Sequence, residues 1–230
     1  MNIPNHIAII PDGNRRWAKA QRLNAWEGHA EGSKRFWEIA DEAYAQGVKY
    51  LTLWAGSYDN LKKRSKIEVN FLMELLKTEV LDPKLRERFH QNKSRVCIIG
   101  EWKEFVTDKE TLKAVESLEA ETAQYTENQL TLLFGYDGQR EMLAAVNSLV
   151  KEGEGVSDES LRAALWTAEL PDVDLVIRTG GEPHWSAGFM MWLTANSQFY
   201  FTEQLWPDFK KDELKKALDD YDGRERRLGK

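Results

Sequence analysis

Short apolar runs alternate with longer amphipathic segments along the whole chain. The runs have strand length and end at Gly, Pro or polar residues, which predicts strands at 7–10, 48–55, 95–100, 129–134, 173–177 and 198–202. The segments between them have helical spacing, which predicts helices at 28–46, 65–76, 83–90, 108–126, 139–150, 157–166, 189–195 and 211–221. Because strands that alternate with helices form a parallel sheet with helices on its faces, we predict a single α/β domain over residues 1–230 with a six-stranded, mainly parallel sheet.

The first strand run is followed at once by Pro-Asp-Gly-Asn and two arginines, residues 11–16. This loop offers backbone N–H groups at a helix start, two guanidinium groups and, at Asp12, one carboxylate suited to Mg²⁺. Together these groups suit a polyphosphate ligand. The same residues also fit a plain turn from strand to helix with an Asn or Asp cap, so the loop by itself leaves both interpretations open.

Four of the strand runs end in loops rich in glycine and polar side chains, at 12–14, 56–60, 135–138 and 178–182. Parallel strands send their carboxyl ends to one edge of the sheet, where ligands bind, so these loops should converge. The site candidates on or near them are Asp12, Arg16, Ser57, Asn60, Arg64, Arg178, Glu182 and Ser186. One carboxylate among several guanidinium groups suits a diphosphate–Mg²⁺ complex better than a sugar or a neutral peptide.

Several other classes of site are not indicated. The sequence lacks a G-x-x-x-x-G-K-[ST] loop, a G-x-G-x-x-G motif after the first strand, an H-E-x-x-H zinc motif and a G-x-S-x-G elbow. A single cysteine excludes a disulfide framework or a cysteine zinc site. The net charge of −6 argues against a nucleic-acid partner, which calls for a basic excess.

No targeting or membrane-spanning segment is predicted. The chain starts MNIPNH, without the basic and apolar regions of a signal peptide. No apolar run approaches the length that is needed to cross a bilayer. We therefore expect a cytoplasmic protein.

The helix predicted at 65–76 has an apolar stripe made of Phe71, Leu72, Leu75 and Leu76. Core packing is the usual explanation of such a stripe. This helix nevertheless follows a loop that carries basic residues. An apolar tunnel behind a cationic mouth would suit an isoprenoid diphosphate.

The chain resembles the cis-prenyltransferase family, the undecaprenyl diphosphate synthase-like enzymes, nearly from end to end. The blocks that carry the resemblance are HIAIIPDGNRRW at 6–17, Gly28-His29, Ser57 with Asn60, KRSKIEV at 63–69, DLVIRTGGE at 174–182, LWPDF at 205–209, and the RxG ending at Arg227 to Gly229. Their number and their order make the resemblance far more specific than any one block.

The resemblance implies an apolar tunnel within the sheet-and-helix fold, a homodimer, and Mg²⁺-dependent chain elongation. In that reaction isopentenyl diphosphate condenses with an allylic prenyl diphosphate to give a cis-polyprenyl diphosphate of the undecaprenyl kind. The allylic diphosphate ionises, the double bond of isopentenyl diphosphate attacks, and loss of a proton leaves a new cis double bond. Transient contact with a membrane surface is expected where the product is released.

Residue roles follow from the same resemblance. Asp12 would hold Mg²⁺ and help to expel diphosphate, and Gln198 occupies the position of a second metal ligand. The allylic diphosphate would be bound by Gly13, Asn14, Arg15 and Arg16, with Trp17 and Arg64 as further substrate-binding candidates. Near the reacting groups would lie His29, Ser57 and Asn60, the last as a candidate for proton relay. Isopentenyl diphosphate would be bound by Arg178, His184, Ser186, Arg227 and Gly229, the tail reaching across the dimer.

Three positions depart from the family pattern, and Gly188 and one of Lys62 or Lys63 look like single insertions. Ala25 and His184 stand where the family has arginines, and Gln198 stands where it has a glutamate. These changes affect phosphate and metal contacts, which makes an irregular head-to-middle coupling of two allylic diphosphates the alternative to elongation. A non-catalytic partner subunit of a two-component prenyltransferase is a further alternative, but such a subunit would be expected to lose Asp12 and the arginines after it.

Overall fold

The computed structural model describes residues 2–106, 108–153 and 155–224. Within these residues one sheet contains six strands, β1 (His6–Ile10), β2 (Tyr50–Ser57), β3 (Ser94–Ile99), β4 (Asn128–Tyr136), β5 (Leu175–Arg178) and β6 (Gln198–Phe201). Their order is β3-β4-β2-β1-β5-β6, and every neighbouring pair is parallel. The predicted α/β class and parallel sheet are confirmed.

Helices connect the strands. They are α1 (Asn14–Ala20), α2 (Ala25–Ala45), α3 (Tyr58–Lys63), α4 (Lys66–Leu81), α5 (Pro83–Gln91), α6 (Lys109–Thr122), α7 (Gly138–Glu152), α8 (Asp158–Ala164) and α9 (Lys211–Asp222). Two short 3₁₀ turns lie at Trp102–Glu104 and Trp206–Asp208. Among the helices in the described ranges, none is both long and apolar enough to cross a membrane.

Some predicted elements differ from the structure. The segment 56–60, predicted as a loop, is the end of β2 followed by α3. The helix predicted at 189–195 is wrong, because the chain runs through consecutive turns there. Ala187 and Met190 both have φ 46, a left-handed conformation that an α-helix does not admit. Apolar spacing in this segment reflects burial of Phe189 and Met190 rather than helical geometry.

The sheet separates two apolar cores, and β1 contributes to both. All five residues of β1 are buried, as expected for the continuous apolar run of a central parallel strand. Side chains alternate across a strand, so Ile7 and Ile9 join the core formed with α2, α4 and α9. Ala8 and Ile10 face the opposite core, which includes Phe189. The carboxyl end of β1 therefore opens between two packed layers.

Close backbone contact fixes α1 against α2. A Cβ added to Gly28 would lie 2.2 Å from the carbonyl oxygen of Asn14, and one added to Gly32 would lie 2.3 Å from Oδ1 of Asn14. Only glycine permits this approach. The two glycines of α2 thus hold the first turn of α1 in place at the edge of the sheet.

Candidate active site

Asp12, which follows β1, lies between two arginines. Its Oδ1 is 3.2 Å from Nη2 of Arg16 in α1, and its Oδ2 accepts a hydrogen bond of 3.1 Å from Nη2 of Arg178. The Asp12 carbonyl oxygen accepts hydrogen bonds from Oγ1 of Thr179 at 2.7 Å and from the backbone N–H of Trp206 at 3.0 Å. The carboxylate is therefore fixed where the loops after β1 and β5 meet.

Arg178, the last residue of β5, is a buried cation with a side chain only 5% exposed. Its Nη1 donates a hydrogen bond of 2.8 Å to the carbonyl oxygen of His184, while Nε has no hydrogen-bond partner among the described residues. A buried charge is costly unless it is paired and fully hydrogen-bonded. Nε of Arg178 is thus a buried donor for which the described residues supply no acceptor.

His29 of α2 forms the centre of a second polar cluster. Its Nε2 lies 3.0 Å from Oε1 of the buried Glu68, and Nε of Arg64 lies 3.2 Å from the same oxygen. Burial, followed by the positive charge of Arg64, lowers the pKa of His29 below its ordinary value. Because Glu68 can only accept, Nε2 carries the proton and Nδ1 of the neutral imidazole remains a base.

The carboxyl end of β2 brings a hydroxyl and an amide to the same edge. Oγ of Ser57 accepts a hydrogen bond of 3.1 Å from the backbone N–H of Asn60 and so caps α3. Both residues line a cavity that also contacts Asp12 and Arg178. A capped helix, rather than a loop, therefore positions Asn60.

Two polar cavities lie side by side at this edge. The first, of about 680 Å³, is lined by Asp12 and five cations, namely Arg15, Arg16, Lys19, Arg22 and Arg64. The second, of about 340 Å³, lies toward β2 and β5 and includes Ser57, Asn60, Arg178 and Ser186. Asp12, His29 and Arg64 line both cavities. Cations are thus concentrated locally in a chain whose net charge is −6.

An apolar cavity of about 100 Å³ opens from the same place. Pro11, Asn14 and His29 line it and both polar cavities. Its walls come from α2, α4, β2 and β4, and include the predicted apolar residues Leu72, Leu75 and Leu76. The predicted combination of a cationic mouth with an apolar space behind it is present.

Several predicted site residues lie elsewhere. Trp17 lines none of these cavities, since its Nε1 donates to Oδ1 of Asp208 at 3.0 Å. The imidazole of His184 is about half exposed, with Nδ1 3.6 Å from Glu182, and only its carbonyl oxygen contacts Arg178. Gln198 pairs with Leu175 at the opposite end of β6 from the site, so within one chain it does not share a metal with Asp12.

The segment 135–138, predicted as a loop of the site, is instead the end of β4 followed by the start of α7, and it does not join the site. It supports the turn at 187–190, because Gly138 lies so close to Gly188 that an added Cβ would be 1.8 Å from the Gly188 carbonyl oxygen. Asp137 caps α7 instead of facing a cavity. The predicted tail residues Arg227 and Gly229 lie outside the described residues.

The prediction from sequence missed three charged residues of the site. Glu68 follows Ser65 in a capping-box pattern, and the backbone N–H of Glu68 does donate to Oγ of Ser65 at 3.3 Å. Its carboxylate, however, faces His29 and Arg64. Lys19 and Arg22 gave no motif signal, although Arg22, at φ 61, adopts a backbone conformation that favours glycine.

Asp12 is the candidate magnesium ligand. No cluster of three or more His, Cys, Asp or Glu side chains able to hold a metal occurs among the described residues. Mg²⁺ keeps several waters and commonly binds through one or two carboxylates together with substrate phosphates. A single carboxylate among guanidinium groups therefore fits a metal that arrives with a diphosphate.

These features define an α/β enzyme with a cationic site at the carboxyl edge of its sheet and an apolar cavity behind that site. Residues 10–229 match the family model described as "Putative undecaprenyl diphosphate synthase". The chain is 43% identical to the isoprenyl transferase of Bacillus subtilis over 234 residues, covering 99% of this chain and 88% of the relative. It is 38% identical to the isoprenyl transferase of Thermotoga maritima, covering 100% and 98%.

Among solved structures, it is similar to lavandulyl diphosphate synthase from Lavandula x intermedia, a crystal structure in complex with dimethylallyl diphosphate. The TM-score is 0.90 at 30% identity, covering 99% of this chain and 98% of the other. The chain thus belongs to the undecaprenyl diphosphate synthase family and is a prenyltransferase. The family predicted from the sequence blocks is confirmed.

Proposed function

We propose that this enzyme condenses isopentenyl diphosphate with an allylic prenyl diphosphate in a Mg²⁺-dependent reaction that yields a cis-prenyl diphosphate. One observation carries the proposal: two cation-lined cavities share Asp12, His29 and Arg64 and meet the apolar cavity at His29. Two diphosphates and one hydrocarbon tail are the ligands that such an arrangement suits. Isoprenyl transferase relatives support the same reaction class.

The larger cavity suits the allylic diphosphate, with its tail directed past Asn14 into the apolar cavity. When the allylic C–O bond breaks, negative charge grows on the leaving diphosphate. Arg15, Arg16 and Arg64 line this cavity, so their positive charges would stabilise the leaving diphosphate. Asp12 would hold Mg²⁺, which supplies further neutralisation of the leaving group when it is bound.

The smaller cavity suits isopentenyl diphosphate, with its phosphates at Arg178 and Ser186. Its double bond attacks the allylic carbon, and the resulting cation loses a proton to give the new double bond. Two proton acceptors are available: Nδ1 of His29, which lines both cavities and is kept neutral by its lowered pKa, and the amide oxygen of Asn60, which lines the smaller cavity and would act as a relay. Holding the two substrates in adjacent cavities makes the attack effectively intramolecular.

Irregular coupling of two allylic diphosphates is the second candidate function. It is favoured by His184, whose imidazole points to Glu182 rather than to the smaller cavity, so that this cavity has fewer cations than the first. The similar structure of a lavandulyl diphosphate synthase gives the same alternative its second support.

We further propose that the enzyme is a homodimer in the cytoplasm, with transient membrane contact at product release. The stacked rings of Phe199 and Phe201 on the edge strand β6, 5.8 Å apart, support a subunit contact there. Phe201 is 41% exposed in the single chain. Light scattering coupled to gel filtration measures the subunit number directly.

The two functions are separated by three incubations with Mg²⁺, followed by mass spectrometry: dimethylallyl diphosphate alone, isopentenyl diphosphate alone, and both together. Elongation requires both substrates and gives linear products whose cis double bonds are assigned by NMR. Irregular coupling gives a branched ten-carbon product from dimethylallyl diphosphate alone. A parallel incubation with EDTA should abolish either product, and absence of product in all arms with Mg²⁺ would refute both functions.

A further inference from the structure

The apolar cavity does not end at a smooth wall. A second space, of about 10 Å³, lies behind it toward α5, α6 and β3. Trp37, Leu76, Glu79 and Leu132 line both spaces. We call these four side chains the partition. They cross what would otherwise be one continuous apolar channel that runs from the cationic mouth into the core.

Trp37 is the largest side chain of the partition, and contacts on several sides hold it. Its ring makes edge-on contacts with Phe36 and Phe89, at centroid distances of 4.8 and 5.7 Å. The guanidinium of Arg88 lies 5.6 Å from the ring centroid, and its Nη2 donates to the Trp37 carbonyl oxygen at 2.6 Å. The indole therefore cannot swing aside without breaking contacts with α5.

Glu79 contributes a polar group to this otherwise apolar region. One carboxyl oxygen accepts hydrogen bonds from Nε1 of Trp37 at 3.4 Å and from the hydroxyl of Ser33. Burial raises the pKa of Glu79 above its ordinary value, which favours the neutral acid. A hydrocarbon tail that advanced past this point would strip the carboxyl and the indole of their partners, and buried polar groups without partners are costly.

We propose that Trp37, held by Glu79, ends the prenyl channel and restricts the product to a short chain. This inference rests on the proposed function and sharpens it, because the resemblance alone implied a long, undecaprenyl-like product. A cavity of about 150 Å³ accommodates benzene, so the 100 Å³ before the partition holds about one five-carbon unit. With the unit bonded to diphosphate lying at the mouth, the product has about two or three units.

Tail-length selection is tested by binding, without any condensation step. Calorimetry measures the affinity of dimethylallyl, geranyl, farnesyl and geranylgeranyl thiolodiphosphates, analogues that do not readily ionise, for the full chain with Mg²⁺. The variants are W37A, W37L, E79A and E79Q. W166A is the matched control, because Trp166 is also partly buried and makes an edge-on ring contact, with Tyr136, but lies in the opposite core.

In the wild type, affinity should rise up to ten or fifteen carbons and fall at least tenfold for the geranylgeranyl analogue. W37A and W37L should bind that analogue at least tenfold more tightly than the wild type, and E79A should shift in the same direction. E79Q keeps the acceptor oxygen and should retain the wild-type preference, as should W166A. Thermal melting verifies that each variant is folded, and W37L retains an apolar side chain if W37A does not fold.

An unchanged length preference in folded W37L, or an equal shift in W166A, would overturn the proposal that the partition limits chain length. The products of the reaction with isopentenyl diphosphate give a second readout, in which W37L should lengthen the main product by one or more five-carbon units. Tail-length selection without any use of isopentenyl diphosphate would refute elongation while leaving the partition intact. Elongation with the same product length in wild type and W37L would refute the role of the partition while leaving elongation intact.

Discussion

The loop after β1 (residues 11–13) and the segment after β5 (residues 179–190) serve the same edge of the sheet but are built differently. After β1 the chain needs one left-handed residue, Gly13 at φ 111, before it enters α1. After β5 it passes through consecutive turns, with positive φ at Gly180, Gly181, Ala187, Gly188 and Met190. The first connection is regular, and the second is held in less favourable backbone conformations.

The two connections also differ in what supports them. The first is supported by its own helix and by α2, which packs against Asn14 at Gly28. The second depends on distant elements, since Arg178 binds the carbonyl oxygen of His184 and Gly138 of α7 contacts Gly188. The first connection is thus a helix start that the local sequence predicts, although Thr179 and Trp206 also donate to its Asp12 carbonyl oxygen, whereas the second depends on packing.

The largest effect is expected at Asp12, which joins the two connections. D12N should lower kcat about a hundredfold to a thousandfold, because the amide carries no charge for Mg²⁺ or for Arg16. Asparagine keeps an oxygen near the buried Arg178, so it is a better test than alanine, which would leave that guanidinium unpaired. Steady-state kinetics with excess Mg²⁺, with a thermal melt as control, measures this. A kcat near that of the wild type would contradict the role assigned to Asp12.

His6 joins the amino end of β1 to β2 and to the segment that precedes β5, and this joint should be sensitive to pH. Its Nδ1 donates to the Pro171 carbonyl oxygen at 2.9 Å and its Nε2 lies 2.8 Å from Oγ1 of Thr52. Burial lowers the pKa of His6 to about 4. Because the unfolded chain takes up the proton first as the pH falls, stability is lost between the unfolded value near 6.5 and about 4.

From pH 7 to pH 5, the free energy of unfolding of the wild type should therefore fall by about 2 kcal/mol more than that of H6Q. Urea unfolding at the two pH values measures the difference. His29, whose pKa is also lowered, contributes equally in both proteins and cancels. Equal losses in wild type and H6Q would show that protonation of His6 does not weaken this joint.

A matched pair of substitutions separates the two cavities. R16K and R178K both keep the charge but lose N–H donors of the guanidinium group, a loss expected to cost about tenfold. R16K should raise KM for the allylic diphosphate, and R178K should raise KM for isopentenyl diphosphate. Initial rates with each substrate varied in turn measure both constants. If both substitutions changed the same KM, the assignment of one substrate to each cavity would be wrong.

The smallest effect is expected at Arg22, where the site adds a cation at the cost of backbone strain. R22G should stabilise the protein by about 1 kcal/mol, because glycine adopts φ 61 without strain. Loss of this exposed charge should raise KM for the allylic diphosphate about twofold to threefold. R22A is the control, since it removes the charge and keeps the strain. A stability gain in R22A as large as that in R22G would rule out relief of strain as the cause.

Local patterns predicted most of the fold correctly, for identifiable reasons. The period of apolar residues predicted all six strands, and the Ser65 cap predicted the start of α4. The helix predicted at 189–195 was wrong, because apolar spacing there arises from burial around two left-handed residues. The S-x-x-E pattern indicates only that Glu68 takes part in a cap, because a sequence pattern does not show which way a carboxylate turns.

By itself, the sequence determined the α/β class, the family, and the presence of Asp12 and its arginines at a strand end, because these depend on local period and on contiguous motifs. Only the tertiary structure decided which residues meet. His29 contacts Glu68 across 39 positions, Gln198 lies at the far end of its strand from Asp12, and Trp37 crosses the apolar channel beside Glu79, 42 positions away. Such pairs depend on how helices pack on the sheet, and no local pattern encodes that packing.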